Sequence, residues 1–323
     1  MKDSSQPNLD KSEIIGQIPL ACANELVAVE FMEQQRWNGA PCCAHCGSKN
    51  VYKMVDAKTG ERNKRFLWRC HDCKEQYTVR IGTVYEESRI PLRHWCYAFW
   101  RASTSKKGVS ALEIKRHCQI SYKSALFLMH RIRFALNPDR TEKLKGIIEA
   151  DEVYIGGKPR PGTGNLRTGR GTRKTPVFAI VERDGEIRRQ VVANVCGRTL
   201  KQALFENVDR SAKIMTDEFV SYRGLYSRFA GRHHTVCHKT GEYVRDGWIH
   251  INTAESSFAI LKRGITGIFH AVSKKHLHRY VGEFDFRWNT RRMNDGDRTV
   301  AAIRSATGKR LMYRYVVPTT TRL

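Results

Sequence analysis

Runs of apolar residues divide the second half of the chain into predicted strands and helices. Residues 146–157 combine β-branched side chains with a closing Gly-Gly pair, which predicts a strand with Asp151 in its middle. Three further apolar runs have the length of strands: residues 177–182, 187–195 and 214–217. Asp184 and Gly185 join the first two of these runs and predict the turn of a β-hairpin.

Apolar side chains at spacings of three and four residues predict helices around these strands. The helical segments are residues 199–207, 219–229, 256–264 and a longer stretch through Leu277, Val281, Phe284 and Trp288. Stripes of this kind are typical of core packing. The order of strand, hairpin, helix, strand and helices predicts an α+β domain with a mixed sheet.

The first half of the chain is predicted to be helical on either side of a strand-rich segment. Residues 1–20 are polar, and we expect them to be loose. Residues 23–36 predict a short amphipathic helix before Trp37, and residues 91–102 predict another that starts at Pro91. Strand-like runs lie between these helices at residues 51–54, 64–69 and 76–80.

Two neighbouring helices are predicted over residues 108–117 and 121–136, with Ser121 as the N-cap of the second. The second has one apolar face made of Ala125, Met129, Ile132 and Leu136. The pair resembles a helix-turn-helix, although a plain helical hairpin explains the pattern as well. In the first interpretation, the second helix offers DNA the side chains of Tyr122, Lys123, Arg131 and Arg133.

Two Cys-x2-Cys pairs flank the strand-like runs. Their sulfurs belong to Cys43, Cys46, Cys70 and Cys73. Each pair can place two sulfurs on one ion, and two pairs complete a tetrahedral Zn²⁺ site. Cys42 is a rival ligand, but Cys43 gives the matching two-residue gap. We therefore predict a zinc ribbon with one structural Zn²⁺, against the alternative of four free cysteines in a core.

The net charge of the chain indicates nucleic acid as a binding partner. Its 323 residues include 57 Lys and Arg against 32 Asp and Glu, a net charge of +25. A solvated basic surface would explain this excess, but a polyanion partner explains it better. The sequence has no run of 18 apolar residues and no apolar signal segment near its start. We therefore expect no membrane partner and a cytoplasmic, nucleoid-associated location.

A basic, glycine-rich loop is predicted over residues 158–175. Its candidate DNA contacts are Arg170, Arg173 and Lys174. The composition fits a solvated linker and fits equally a loop that becomes ordered on DNA phosphates.

Three acids occupy suggestive places in the predicted elements. Asp151 lies within a strand, Asp217 ends a short strand, and Glu255 opens a helix. A buried acid is costly unless it is paired or binds a metal. Taken singly, each is explained as a surface carboxylate or a helix cap. If they converge, they form an oxygen-rich site for divalent cations.

With these motifs, the chain resembles the bacterial insertion-sequence transposases that place a zinc ribbon before a DDE catalytic domain, relatives of the Merlin-type transposases. The shared motifs lie within residues 35–292: the cysteine pairs, residues 151–158, Thr216-Asp217 with Tyr222, residues 252–256, and Lys262-Arg263-Gly264. The gaps also fit, with 65 residues between Asp151 and Asp217 and 37 between Asp217 and Glu255. The chain departs from the pattern at Ala44, where a proline is usual, and Asn252 is a rival to Glu255 as the third ligand.

The resemblance implies an RNase H-like fold, with Asp151 on the first strand, Asp217 beyond the fourth and Glu255 on a helix. It implies that these acids hold two Mg²⁺ ions, for which Mn²⁺ can substitute. Lys262, two helical turns after Glu255, would hold a DNA phosphate, and Arg263 would contact DNA beside it. Such an enzyme binds terminal inverted repeats, cuts DNA by hydrolysis and joins a 3′ end to target DNA. The expected partners are double-stranded DNA, both element ends and target, and further copies of the chain in a dimer or larger complex.

The expected organisation has five segments. They are a tail and helix (1–36), the zinc ribbon (37–84), a helix-turn-helix-like segment (85–140), the RNase H-like domain (141–295) and a C-terminal extension (296–323). Two other functions stay open: a DNA-binding regulator without catalysis, and an RNase H-like nuclease or resolvase. Joining of a cleaved 3′ end to new DNA distinguishes the three.

Overall fold

The structure, a computed structural model, describes residues 11–137 (side chains from 14), 140, 142–157, 172, 174–237 and 240–312. The chain divides into two units. The first contains residues 1–105, 109–136 and 293–323, and the second contains residues 106–108 and 137–292. Within the described residues, no helix has the length and apolar character needed to cross a membrane.

The first unit begins with two helices joined at Asn24, α1 (Lys11–Ala23) and α2 (Glu25–Trp37). The side chain of Asn24 caps α2 by accepting hydrogen bonds from the backbone N–H groups of Leu26 and Val27. Helix α1 corrects the expectation of a loose segment for residues 11–20, whereas residues 1–10 lie outside the described part of the chain. It buries Ile18 and Ala21 and packs against α2, so its stability comes from tertiary contact.

Three short strands follow α2 and form the predicted ribbon. They are β1 (Val51–Lys53), β2 (Trp68–Cys70) and β3 (Gln76–Tyr77), paired antiparallel with β2 in the centre. The Nε1–H group of Trp68 donates a hydrogen bond to Oε1 of Glu33 on α2 at 2.7 Å, and Arg62 forms an ion pair with the same carboxylate. These contacts fix the ribbon against the helix that precedes it.

Three helices complete this part of the unit: α3 (Leu92–Thr104), α4 (Ala111–Cys118) and α5 (Tyr122–Ala135). Ser121 is the N-cap of α5, as predicted, and accepts a hydrogen bond from the backbone N–H of Ser124 at 3.1 Å. Gln119 ends α4 with a left-handed backbone, φ 54°. The apolar face of α5 is buried at Ala125, Met129 and Ile132.

Two arginines of α5 are not where the sequence analysis put them. Arg131 and Arg133 are buried, with exposed fractions of 7% and 1%. The guanidinium of Arg131 donates to the backbone carbonyls of Leu311 and Glu86 at 3.0 and 3.1 Å. We therefore correct the expectation that they face DNA, because their groups are turned into the first unit.

A five-stranded sheet organises the second unit. Its strands are β4 (Ile147–Ile155), β5 (Thr175–Glu182), β6 (Ile187–Val191), β7 (Lys213–Asp217) and β8 (His233–Val236). Their order is β6-β5-β4-β7-β8. The first three are antiparallel neighbours, whereas β7 runs parallel to β4 and β8 parallel to β7. The sheet is mixed, as predicted, and the short strand β8 was not predicted.

Helices cover both faces of this sheet. They are α6 (Gly197–Asn207), α7 (Leu225–Arg228), α8 (Asn252–Gly264) and α9 (Leu277–Asn289). One core contains residues of α6 and α7 against Ile148 and Ala150 of β4. The other contains residues of α8 and α9 against Val153 and Ile155. The two faces of β4 therefore meet different helices, because side chains alternate along a strand.

Shorter helical turns replace part of one predicted helix and extend another. Residues 219–229 form a 3₁₀ turn (Val220–Tyr222) and then α7, because Gly224 interrupts them with φ +86°. A π-helical turn (Ile265–Phe269) continues α8, and a 3₁₀ turn (Lys274–His276) precedes α9.

The chain returns to the first unit in α10 (Asp295–Arg304), a helix that the sequence analysis did not predict. Asn294 caps it by accepting a hydrogen bond from the backbone N–H of Asp297 at 2.8 Å. The helix packs against α3, where the hydroxyl groups of Thr299 and Ser103 lie 3.2 Å apart. The residues after position 295 thus include an integral helix of this unit.

Candidate active site and cysteine cluster

Asp151 and Asp217 lie at the same level of neighbouring strands. The parallel register of β4 and β7 pairs Ile147 with Lys213 and Glu149 with Met215. Two residues further along each strand are Asp151 and Asp217, on the same face as that last pair. Adjacent strands lie about 5 Å apart. The backbone therefore places Asp151 and Asp217 side by side on neighbouring strands. The sequence analysis predicted Asp151 within a strand and Asp217 at the end of another.

Glu255 lies in the first turn of α8, the helix that covers this face of β4. The pKa of Asp151 is raised to about 8, first by burial and then by the negative charges of Glu152, Asp217 and Glu255. The structure therefore places Asp217 and Glu255 within electrostatic reach of Asp151. Among the described residues, however, the three carboxylates do not meet within the 4.8 Å that encloses the cysteine sulfurs described below.

Backbone amides orient two of the acids. Oδ1 of Asp151 accepts a hydrogen bond from the N–H of Glu152 at 2.8 Å. Oδ1 of Asp217 accepts one from the N–H of Phe219 at 3.1 Å. These bonds hold both carboxylates in place, and burial together with the neighbouring negative charges makes ionisation of Asp151 costly. A divalent cation would relieve that cost, and carboxylate oxygens are the ligands that Mg²⁺ prefers, so the donor set fits such an ion.

Glu152 points to the opposite face of β4 from Asp151. Its Oε2 accepts a hydrogen bond from the hydroxyl of Tyr222, just beyond β7, at 3.0 Å. Both residues belong to the transposase-like motifs of the sequence, but no sequence pattern pairs them. A period of two along β4 would have separated Glu152 from Asp151, although only the structure identifies its partner.

A surface cavity of about 360 Å³ adjoins Asp217. Its lining consists of Asp217, Glu218, Phe219, Tyr222, Arg223, His233 and Thr235. Burial and the neighbouring charge of His234 lower the pKa of His233 to about 4, and its Nε2 lies 3.0 Å from Oγ1 of Thr216. The cavity therefore combines aromatic rings, a neutral imidazole and an arginine beside an acid.

Four cysteine sulfurs form a cluster in the ribbon. Cys43, Cys46, Cys70 and Cys73 have sulfurs that all lie within 4.8 Å of one another. The Sγ–Sγ distances are 3.6 Å for Cys43 and Cys73 and 3.7 Å for Cys46 and Cys70. A tetrahedron of thiolates around Zn²⁺, with bonds of about 2.3 Å, has edges of about 3.8 Å. The cluster therefore has the dimensions that a zinc ion requires.

Local backbone groups favour the thiolate form of one of these sulfurs and shape the turn that carries the first pair. The backbone amides of Cys73 and Asp72 lower the pKa of the Cys70 thiol to about 7, which favours the thiolate form. Gly47 has φ +75° and lets the first pair of cysteines close into a tight turn. Cys42 lies outside the cluster.

The predicted DNA contacts have different environments. Tyr122 and Lys123 are exposed at the start of α5, and Lys262 and Arg263 are exposed near the end of α8. Lys174 is partly buried beside Gly156. Arg170 and Arg173 lie outside the described residues.

One buried acid of the site was missed by the sequence analysis. Glu149 is fully buried on β4, two residues before Asp151, and contacts the N-terminus of α8 through Thr253 and Ala254. The signal was a further acid on the same strand face as Asp151, directly after the apolar residues that open the strand.

Comparisons with known proteins agree with both parts of the site. Residues 143–289 match the ISXO2-like transposase domain, and residues 23–76 match the transposase zinc-ribbon domain. The chain is also similar to an uncharacterized protein in the transposable element ISH50 of Halobacterium salinarum. The two are 28% identical over 279 residues, which cover 82% of this chain and 90% of that protein. The chain therefore carries a transposase zinc-ribbon domain before an ISXO2-like transposase domain, the order of domains that its resemblance to the insertion-sequence transposases predicted.

Proposed function

We propose that the chain is the DNA transposase of its insertion sequence, which binds the terminal inverted repeats, cuts DNA by hydrolysis and joins the 3′ end to target DNA. The observation that carries this proposal is the placement of Asp151 and Asp217 at one level of β4 and β7, with Glu255 in the first turn of the helix that covers the same face. The sheet order β6-β5-β4-β7-β8, with its antiparallel and parallel halves, supports an RNase H-like fold for this domain.

Asp151, Asp217 and Glu255 are the proposed ligands of two Mg²⁺ ions, with Mn²⁺ as a substitute. When bound, such ions supply activation of the attacking oxygen and neutralisation of the leaving oxygen in a phosphodiester displacement. The residues of the chain present the oxygens: the strands set the spacing of the two aspartates, and backbone amides fix one oxygen of each. Glu255 completes the set from the helix.

Lysine and arginine side chains of this domain are proposed to hold DNA. Lys262 follows Glu255 by two turns of α8 and faces the same side of that helix, so its ammonium group can attract a phosphate beside the acids. Arg263 and Lys174 add positive charge without base-specific geometry. We propose the same role for Arg170 and Arg173. The cavity beside Asp217 has the volume to hold a nucleotide next to the cleaved phosphate, and its aromatic rings can stack on the base.

The first unit is proposed to recognise the element ends. In this proposal α4 and α5 act as a helix-turn-helix, and Tyr122 and Lys123 lie at the exposed N-terminus of its second helix. The ribbon holds one structural Zn²⁺ through Cys43, Cys46, Cys70 and Cys73. Joining two element ends requires two DNA-binding sites, so we propose a dimer or larger assembly in the active complex. Light scattering tests this proposal by measuring the mass of the protein–DNA complex.

The proposal is tested by incubating the purified protein with its element ends, target DNA and Mg²⁺. Mapping of nicks and joined products should show 3′-end cleavage followed by joining. The matched control is Asp217→Asn, which keeps the side chain's shape and should bind the ends without cutting them. Cutting without joining would identify a nuclease, and sequence-specific binding without any chemistry would identify a regulator.

A further inference from the structure

We propose that Glu149 is the positioning residue for Glu255: its buried carboxylate anchors the N-terminus of α8 to β4 and so sets where Glu255 stands relative to Asp151. This inference rests on the proposed function, because it assigns a role within the same metal site. It does not make Glu149 a ligand.

The carboxylate of Glu149 is satisfied by groups that come mainly from α8. It has no exposed surface, and it lies on β4 on the same face as Asp151. Oε2 accepts hydrogen bonds from the backbone N–H groups of Thr253 and Ala254 at 2.8 and 3.0 Å. Oε1 accepts one from the hydroxyl of Thr253 at 2.9 Å. One acid thus binds the helix at three points.

This contact replaces a local helix cap. The N-cap residue of α8 is Ile251, whose side chain makes no capping hydrogen bond. The first N–H groups of a helix have no partner within it, and the helix dipole favours a negative charge at this end. Glu149 meets both needs from a position 104 residues earlier in the chain. The helix start is therefore defined by β4 rather than by its own sequence.

Arg183 neutralises this acid and fixes the segment that leads into the helix. Its Nε donates to Oε1 of Glu149 at 2.8 Å. Its two terminal nitrogens donate to the backbone carbonyls of Trp248 and His250 at 2.7 and 3.1 Å. The chain is therefore held both just before α8 and in its first turn.

Glu255 lies within the anchored turn. Its backbone N–H donates to the carbonyl of Ile251 at 3.1 Å, and it follows Thr253 by two residues. A shift of the helix start would therefore move Glu255 directly, while Asp151 and Asp217 would keep their places on the sheet. Glu149 and Asp151 share one strand, so β4 carries both a proposed ligand and the anchor of another.

The test is Mn²⁺ binding to the full-length protein, measured by electron paramagnetic resonance without DNA. In Glu149→Gln, one carboxylate oxygen becomes an NH₂ group. Both oxygens of Glu149 accept hydrogen bonds from N–H or O–H donors, so in either orientation of the amide its NH₂ group faces a donor. We expect Mn²⁺ affinity to fall about tenfold, the usual cost of losing a group that orients a metal ligand. Binding of end DNA should stay within about twofold, since phosphate contacts dominate that affinity.

A double-mutant cycle separates positioning from general destabilisation. If Glu149 acts through Glu255, then Glu149→Gln should change Mn²⁺ affinity by no more than about twofold in a Glu255→Gln background, because the two effects are not independent. Equal losses in both backgrounds would overturn the proposal. So would a Glu149→Gln protein that is folded and binds Mn²⁺ as the wild type does.

Two further variants keep the test decisive. Glu283→Gln removes a carboxylate that is equally buried and bonded to Arg287 on α9, and it should lower Tm without changing Mn²⁺ affinity. If Glu149→Gln does not fold, Thr253→Ala serves instead, because it removes one hydrogen bond to Glu149. Weaker Mn²⁺ binding by this variant supports the proposal, and unchanged binding overturns it. If Asp217→Asn also binds Mn²⁺ normally, the proposed metal site itself fails, which is a different result.

Discussion

The hydroxyl of Tyr222 donates a hydrogen bond to Oε2 of Glu152 at 3.0 Å across 70 residues of sequence. Tyr222 is almost fully buried, and its ring lies near those of Phe178 and Phe219. The bond joins β4, one residue beyond Asp151, to the turn that follows Asp217. It therefore ties the middle of β4 to the end of β7, the two places that carry the aspartates, on the face of β4 opposite α8.

Removing this hydroxyl should lower stability while leaving the core filled. In Tyr222→Phe, the ring stays and Glu152 loses one donor, which should reduce the free energy of unfolding by about 1–3 kcal/mol. Urea denaturation followed by circular dichroism measures the change. The matched control is Tyr226→Phe, whose side chain is 63% exposed and should be neutral. Equal stability of the two variants would contradict a structural role for the bond.

The cysteine cluster should hold about one zinc ion per chain. In Cys70→Ser, one of the four ligands is lost, so we expect elemental analysis to show little zinc and circular dichroism to show loss of ribbon structure. Chelation of the wild-type protein should have the same effect.

Cys42→Ser is the control for this experiment. Cys42 precedes Cys43 directly but lies outside the cluster, so its replacement should leave the zinc content unchanged. Loss of zinc in Cys42→Ser together with retention in Cys43→Ser would mean that the wrong cysteine of the pair was assigned.

Local sequence patterns predicted those features whose residues all lie within one short segment of the chain. The Cys-x2-Cys spacing predicted the cluster because each pair closes within a single turn. The strand around Asp151 was predicted because a run of apolar and β-branched residues has few alternatives in a buried sheet. The cap at Ser121 was predicted because its partner is three residues away.

Long-range contacts explain what was missed. Helix α1 has a polar beginning and an internal proline, Pro19, and it is held by packing on its neighbours. The partner of Glu149 lies about a hundred residues away, so its role is invisible in a local window. Arg133 is different: it follows the buried Met129 by four residues, so the helical period already placed it beside the apolar face. The positive charge of an arginine alone does not show whether its side chain faces solvent or the core.

Lys123 and Arg133 should therefore respond differently to substitution. Lys123→Ala should weaken binding of the element ends and reduce the slope of log affinity against log salt by about 1, without changing Tm. Arg133→Ala should lower Tm, because it empties a buried site. Fluorescence anisotropy at several salt concentrations and thermal denaturation measure the two effects. The full chain is needed, because α10 belongs to the first unit.

A normal salt slope in Lys123→Ala would remove α5 from the proposed DNA interface. Leu112→Ala provides a control on the neighbouring helix, since its side chain is 52% exposed and carries no charge. Its replacement should leave the salt slope unchanged.

The catalytic proposal makes its sharpest prediction at Asp217, Glu255 and Asn252. Asp217→Asn and Glu255→Gln each remove one proposed ligand charge, so both should slow cleavage and joining by about 10³-fold or more, as expected for loss of electrostatic stabilisation at the reacting phosphate. Binding of end DNA should remain. Asn252, the first residue of α8, is the rival third ligand, and Asn252→Ala should retain most activity because Asn252 carries no charge, whereas Glu255 is the acid in the first turn of that helix. Gel assays of cleaved and joined products measure all three variants, and an active Glu255→Gln beside an inactive Asn252→Ala would reverse the assignment.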